Sequence, residues 1–136
     1  MPRAPLPPDL QRFIEAPRKA VVATITGDGA PVSTATWYEW VDERIVLTMD
    51  ATGHRIRNLR RDPRLALTVL GETWYNHVSL LGRMVEEHPD PDYAVIDRLS
   101  QRYEGEPYPD RDFECIYVLA AIERWHTFGD PASENS

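Results

Sequence analysis

A chain of 136 residues with 42% hydrophobic side chains is long enough for one domain with a substantial core. Its formal net charge of −7 speaks against non-specific nucleic-acid binding, which calls for a broadly basic surface. No apolar run is long enough to span a bilayer, no N-terminal apolar stretch precedes a small-residue cleavage site, and a single cysteine, Cys115, excludes an internal disulfide, so a cytoplasmic protein with no nucleic-acid and no membrane partner is expected.

The first element is a short helix in "PPDLQRFIEAP", with Asp9 as N-cap, Leu10, Phe13 and Ile14 as the buried stripe, and Pro17 as the stop. "KAVVATIT" (19–26) is short and β-branched, "GDG" (27–29) is a turn, and "APVSTATWYEW" (30–40) alternates as a second strand. After a turn at "VDE" (41–43), "RIVLTMD" (44–50) is the third strand of a meander. A helix of two to three turns, capped by Thr52 and ended by Asp62-Pro63, follows in "DATGHRIRNLRRDPR" (50–64). "RLALTVLG" (64–71) and "WYNHVSLLGRMVEEH" (74–88) return to strand character. "DPDYAVIDRLSQRY" (90–103) predicts a helix with Asp90 as N-cap, Pro91 at its first position and a Tyr93/Ile96/Leu99/Tyr103 stripe. A loop (104–110), a long strand within 112–128 and a frayed tail at 129–136 complete the chain. Six strands with short connections suit a closed or split antiparallel barrel plugged by helices, in a single domain with its core over about 9–128.

The segment 50–64 holds five of the fourteen arginines, Arg55, Arg57, Arg60, Arg61 and Arg64, in an acidic chain with one lysine. Two readings are open. The helix is a solvated surface face, or it is an anion site in which helix N-terminal amides and arginine forks hold phosphate. Other chemistry is sparse. His54, His77, His88 and His126 have no metal-ligand spacing, so no metal is expected. Cys115 lies mid-strand and reads as a packing residue. Ser33 lacks a nucleophile turn, and "GDG" is too short for a phosphate loop. No catalytic side chain is assigned. The many aromatics suit a core or a dimer interface, with one or two available to stack on a flat ring.

"DGAP", "RNLRRDPR", "SLLGRMV" and "IERWHTF", in that order and spacing, resemble the split β-barrel flavin- and deazaflavin-binding family, which includes pyridoxamine 5'-phosphate oxidase and the F420-dependent reductases. The resemblance covers roughly residues 9 to 126. It implies a mainly β fold, a six-stranded antiparallel split β-barrel with flanking helices, working as a homodimer with cofactor between two chains. It implies that Arg55, at the position of the family's usual lysine, holds the cofactor phosphate, with Arg57 second and Asn58 matching the family's asparagine. Thr48 and Met49, and Thr34, Ala35 and Thr36, match positions that approach the ring system. Trp74 matches an aromatic that reaches the partner's cofactor. Two departures matter. Arginine replaces lysine, which changes the geometry, and the substrate-holding basic and serine residues of true pyridoxamine phosphate oxidases are missing. The resemblance therefore implies an F420-dependent oxidoreductase acting on a small-molecule substrate, with FMN as the alternative cofactor. A non-catalytic cofactor-binding or storage protein, and a structural dimer with a vestigial site, are the rival classes.

Overall fold

The computed structural model describes residues 1–135. Its elements are α1 (Pro8–Glu15), β1 (Ala20–Ile25), β2 (Pro31–Thr36), β3 (Glu39–Val41), β4 (Arg44–Asp50), α2 (His54–Arg61), β5 (Arg64–Leu70), β6 (His77–Pro89), α3 (Ala94–Glu104), β7 (Cys115–Phe128) and a closing 3-10 turn (Pro131–Glu134). The strands form one antiparallel sheet in the order β2-β1-β5-β6-β7-β4-β3.

The two edges of that sheet, β2 and β3, are consecutive in the chain and separated only by Trp37 and Tyr38. The barrel therefore closes through one bent strand, whose first half pairs with β1 and whose second half pairs with β4. The sequence reading had a single strand over 30–40, and seven strands replace the expected six. The bend exists because Tyr38 turns wholly into the core, with its hydroxyl 2.8 Å from the Ile14 carbonyl and 3.0 Å from that of Ala16. Burial of that hydroxyl pushes its pKa well above the usual tyrosine value. Beyond the bend the sheet is split. β2, an edge strand beside β1, is exposed along nearly its whole length.

The core joins the barrel interior (Leu47, Leu67, Leu80) to Phe13 and Ile14 of α1 and Leu59 of α2, all fully buried. At the β6–β7 bulge a Cβ on Gly82 would lie 2.1 Å from the Ala121 carbonyl oxygen, so only glycine fits there. The turn into β4 uses Asp42 and Glu43, both at positive φ (50° and 61°), as a two-residue hairpin requires.

Several terminal details differ from expectation. Pro7, not Asp9, occupies the N-cap of α1. Thr52 does not cap α2, because its amide and hydroxyl both bond the Asp50 carboxylate (2.8 and 2.7 Å), leaving Gly53 at the cap. Pro91 and Tyr93 precede α3 rather than starting it, Tyr93 being its left-handed N-cap residue. The buried Asp90 still caps that helix, from farther back, by accepting the Val95 amide at 3.2 Å and the Ile96 amide at 3.1 Å. Ile96 and Leu99 are buried as expected, and Tyr103 is half-buried. The strand expected from residue 74 starts at His77. The tail is docked, not frayed. The Glu134 carboxylate accepts the Glu72 amide and the Asn76 side-chain amide, both at 2.6 Å, and pairs with Arg18 at 3.5 Å. Ser136 lies outside the described residues.

Candidate functional site

The arginine helix α2 packs Ile56 and Leu59 into the core, which aims its other face at the mouth of the split. Asn58 fixes that orientation. It is buried, and its side-chain amide donates to the Thr24 hydroxyl of β1 at 3.2 Å. Its carbonyl oxygen lies 3.5 Å from a guanidinium nitrogen of Arg61.

The five arginines fall into two groups. Arg60 forms a two-pronged bridge to Glu87 (2.9 and 2.5 Å), and Arg64 pairs with Asp62 at 2.7 Å. The Arg64 guanidinium holds the Asp62 carboxyl down at about 2. Among the described residues, Arg55, Arg57 and Arg61 have no carboxylate partner within 4.0 Å. These same three line one cavity of about 740 Å³, closed on the other side by β2 and the β1–β2 turn. The volume falls within the usual range of small-molecule sites, about 300–1,000 Å³.

Positions 55 and 57 point apart on a regular helix, yet both face this cavity. Arg55 reaches across to β2, donating to the Thr34 hydroxyl at 2.8 Å and the Thr36 hydroxyl at 3.4 Å. Arg57 turns back toward the helix start, 2.8 Å from the His54 ring nitrogen. Burial without a counter-charge lowers the Arg55 pKa from its usual value, although a guanidinium still stays charged near neutrality. No side chain caps the first turn of α2, and Gly53 and His54 line the cavity with the arginines. Three cations and the uncapped first-turn amides converge on one cavity, an arrangement whose charge suits an anion. Asp50, the one carboxylate on its wall, is engaged by Thr52.

Arg55, Met49 and Asp50 also border a second cavity of about 430 Å³ inside the split, where Thr48, Ala35 and Thr36 lie. Eight of the nine site residues expected from the sequence, namely Arg55, Arg57, Asn58, Thr48, Met49, Thr34, Ala35 and Thr36, are thus brought to two joined cavities. Asn58 acts there as a buried tie. Trp74 is not brought there within one chain. It is 63% exposed, stacked on Tyr75 at 4.1 Å in the β5–β6 turn, beside the Leu70–His77 pair at the other end of the barrel. Sequence reasoning missed Arg61 as a site residue, although its spacing of four from Arg57 places the two on one helix face. It also missed Thr24 and Gly27, which gain meaning only from β1 lying against α2. A Cβ on Gly27 would sit 3.2 Å from the Arg61 guanidinium.

No group of three or more histidine, cysteine, aspartate or glutamate side chains able to hold a metal occurs among the described residues. Cys115 is buried, and its thiol is pushed up to about 12, by burial first and then by the nearby Asp90 carboxylate. No helix among the described residues is long and apolar enough to cross a membrane.

An antiparallel barrel with an arginine-lined cavity at the start of the helix after its fourth strand is the fold of a known protein family. The chain belongs to the pyridoxamine 5'-phosphate oxidase family, whose profile it matches over residues 6–127. It is similar in structure to an F420 reductase (25% identity, TM-score 0.81, covering 89% of this chain and 98% of that one). It is likewise similar to a conserved hypothetical protein from Mycobacterium tuberculosis (27% identity, TM-score 0.75, covering 96% and 89%). General Stress Protein 26 from Bacillus anthracis shares the fold at 13% identity (TM-score 0.67, covering 88% and 91%). No curated protein matches the sequence significantly.

Proposed function

We propose that the protein binds coenzyme F420, with FMN as the second choice, between two copies of the chain, and uses it to oxidise or reduce a small organic molecule. The observation that carries this reading is the sorting of the arginines. Those with carboxylate partners lie off the cavity, and the three without lie on it. A phosphate against Arg55 and Arg57 relieves the cost of holding these cations together. Arg61 lies one helical turn beyond Arg57, farther than one phosphate extends, and suits a cofactor whose tail carries further carboxylates. That favours F420 over FMN, in line with the similarity to an F420 reductase.

When bound, a deazaflavin or flavin supplies the two-electron chemistry. This chain's residues bind and orient it. Arg55, Arg57 and Arg61 compensate its charge, Thr34 and Thr36 hold Arg55 in place, and Thr48 and Met49 line the split against which a ring system lies. Trp74 meets such a site only across a dimer interface, so its role requires the second copy. Absorption and fluorescence titration of the purified protein with F420 and with FMN tests the reading, and sedimentation over a micromolar dilution series tests the dimer. Binding of neither cofactor refutes the proposal. Binding without turnover of any offered substrate favours a storage protein.

A further inference from the structure

The two cavities are joined at Met49, Asp50 and Arg55, the residues that line both. These differ in what they offer a ligand running from one cavity to the other. Met49 is apolar and buried, and Arg55 already directs two guanidinium nitrogens to Thr34 and Thr36. Asp50 ends β4 with an exposed carboxylate whose two oxygens are unlike. Its Oδ1 accepts both the Thr52 amide at 2.8 Å and the Thr52 hydroxyl at 2.7 Å. Its Oδ2 accepts no hydrogen bond among the described residues. Although three unpaired arginines line the same cavity, Asp50 forms no ion pair within 4.0 Å among the described residues. The Thr52 bonds hold its carboxyl below the usual carboxylate range, and two bonds to one oxygen fix the side chain, so the other oxygen is an acceptor set in place beforehand. A fixed carboxylate in an arginine-lined cavity weakens the hold on any anion there, and a hydrogen-bond donor on the ligand offsets that loss.

We infer that Asp50 reads the chain joining the anionic group of the ligand to its ring: the free oxygen accepts a hydrogen bond from a hydroxyl on that chain, so the site selects a phosphorylated polyol linker over an alkyl linker of the same length. The inference rests on the reading that a phosphate meets Arg55 and Arg57 while the ring lies against Thr48 and Met49. A ligand so placed passes Asp50. An ionised carboxylate accepts and does not donate, so a hydroxyl satisfies it, whereas methylene groups leave it desolvated and unpaired. F420 and FMN both carry a ribityl chain between phosphate and ring, so the inference holds for either.

The test varies the linker on a constant ring. FMN and the ribityl 5'-phosphate of 8-hydroxy-5-deazaflavin are each titrated by fluorescence into the full-length protein, beside an analogue whose chain hydroxyls are replaced by hydrogen. On a ring that binds, the parent should favour the hydroxylated form at least about tenfold, as one charge-assisted hydrogen bond implies. Asp50→Ala should bring the two forms within about threefold of each other. Thr52→Ala loosens the same turn but leaves Oδ2 in place, so it should keep the preference. A purely structural role for Asp50 would change both ligands alike and leave their ratio where it was. The ratio is read within one preparation, so partial loss of fold in a variant does not alter it. Equal affinities in the parent, or a preference that survives Asp50→Ala, overturns the inference and leaves the proposed function standing. A preference lost equally in Thr52→Ala assigns the effect to the turn and overturns the direct contact. Uptake of neither ring refutes the proposed function, and the role of Asp50 with it.

Discussion

Asn58→Ala separates a structural tie from a ligand contact. Asn58 is 6% exposed and Thr24 is 4% exposed, and the bond between them (3.2 Å) is the one that pins α2 to β1 by side chains. Removing the amide strands a buried hydroxyl, which costs about 1–3 kcal/mol, and also removes the weak contact to Arg61. With a urea slope of about 1–3 kcal/mol/M, the denaturation midpoint should fall by roughly 1 M. Thr24→Val alone leaves the Asn58 amide unpaired at a similar cost. The double variant leaves no orphaned partner, so it should be less destabilised than the sum by about 0.5–3 kcal/mol. Cofactor affinity should fall less in Asn58→Ala than in Arg55→Ala, because the asparagine acts through helix position. Urea unfolding of the parent, both single variants and the double variant measures the coupling. Strict additivity, or unchanged stability with abolished cofactor binding, would refute the tie and make Asn58 a direct ligand.

Leu99, fully buried on α3, should cost about 2–5 kcal/mol as Leu99→Ala; a midpoint shift near zero in urea would show that the helix does not pack as described. Gly82→Ala should cost at least about 1–3 kcal/mol, because backbone must move to admit the methyl group, and a well-folded variant of parental stability would contradict the close approach to Ala121. Cys115, raised to about 12 in the fold against about 8.5 in an unfolded chain, favours folding while protonated. That contribution is present below about pH 8.5 and is lost as pH rises toward 12, with Tyr38 and Tyr103, also raised, adding to the same alkaline limb. Cys115→Ala should flatten the limb in stability measured against pH, and an unaltered limb would dismiss the thiol.

How much was legible in the sequence follows the range of the interactions. β4 was readable to its last residue, because "RIVLTMD" is a buried apolar run bounded by a turn and an aspartate, all local signals. The bend at Trp37–Tyr38 was not. The alternation of "TATWYEW" continues through it, and only the carbonyls of Ile14 and Ala16, more than twenty residues away, draw Tyr38 inward. Thr52 failed as a cap because Asp50 competes for the same groups. Asp90 succeeded from an unexpected distance because Pro91–Tyr93 turn the chain back over it. The arginine cluster was visible, but its division was not. Glu87, which removes Arg60 from the site, lies 27 residues away on β6.

The most direct measurement is the F420 dissociation constant of the parent, Arg55→Ala and Arg60→Ala proteins at low and high salt. Charge-assisted hydrogen bonds are worth about 1.5–3 kcal/mol, so Arg55→Ala should weaken binding about ten- to a hundred-fold or more. Arg60→Ala, whose guanidinium already belongs to Glu87, should bind within about threefold of the parent. Added salt should weaken the parent as the guanidinium charge is screened. If Arg55→Ala binds F420 and FMN as the parent does, the unpaired arginines are surface charge and the cavity they line is not the cofactor site.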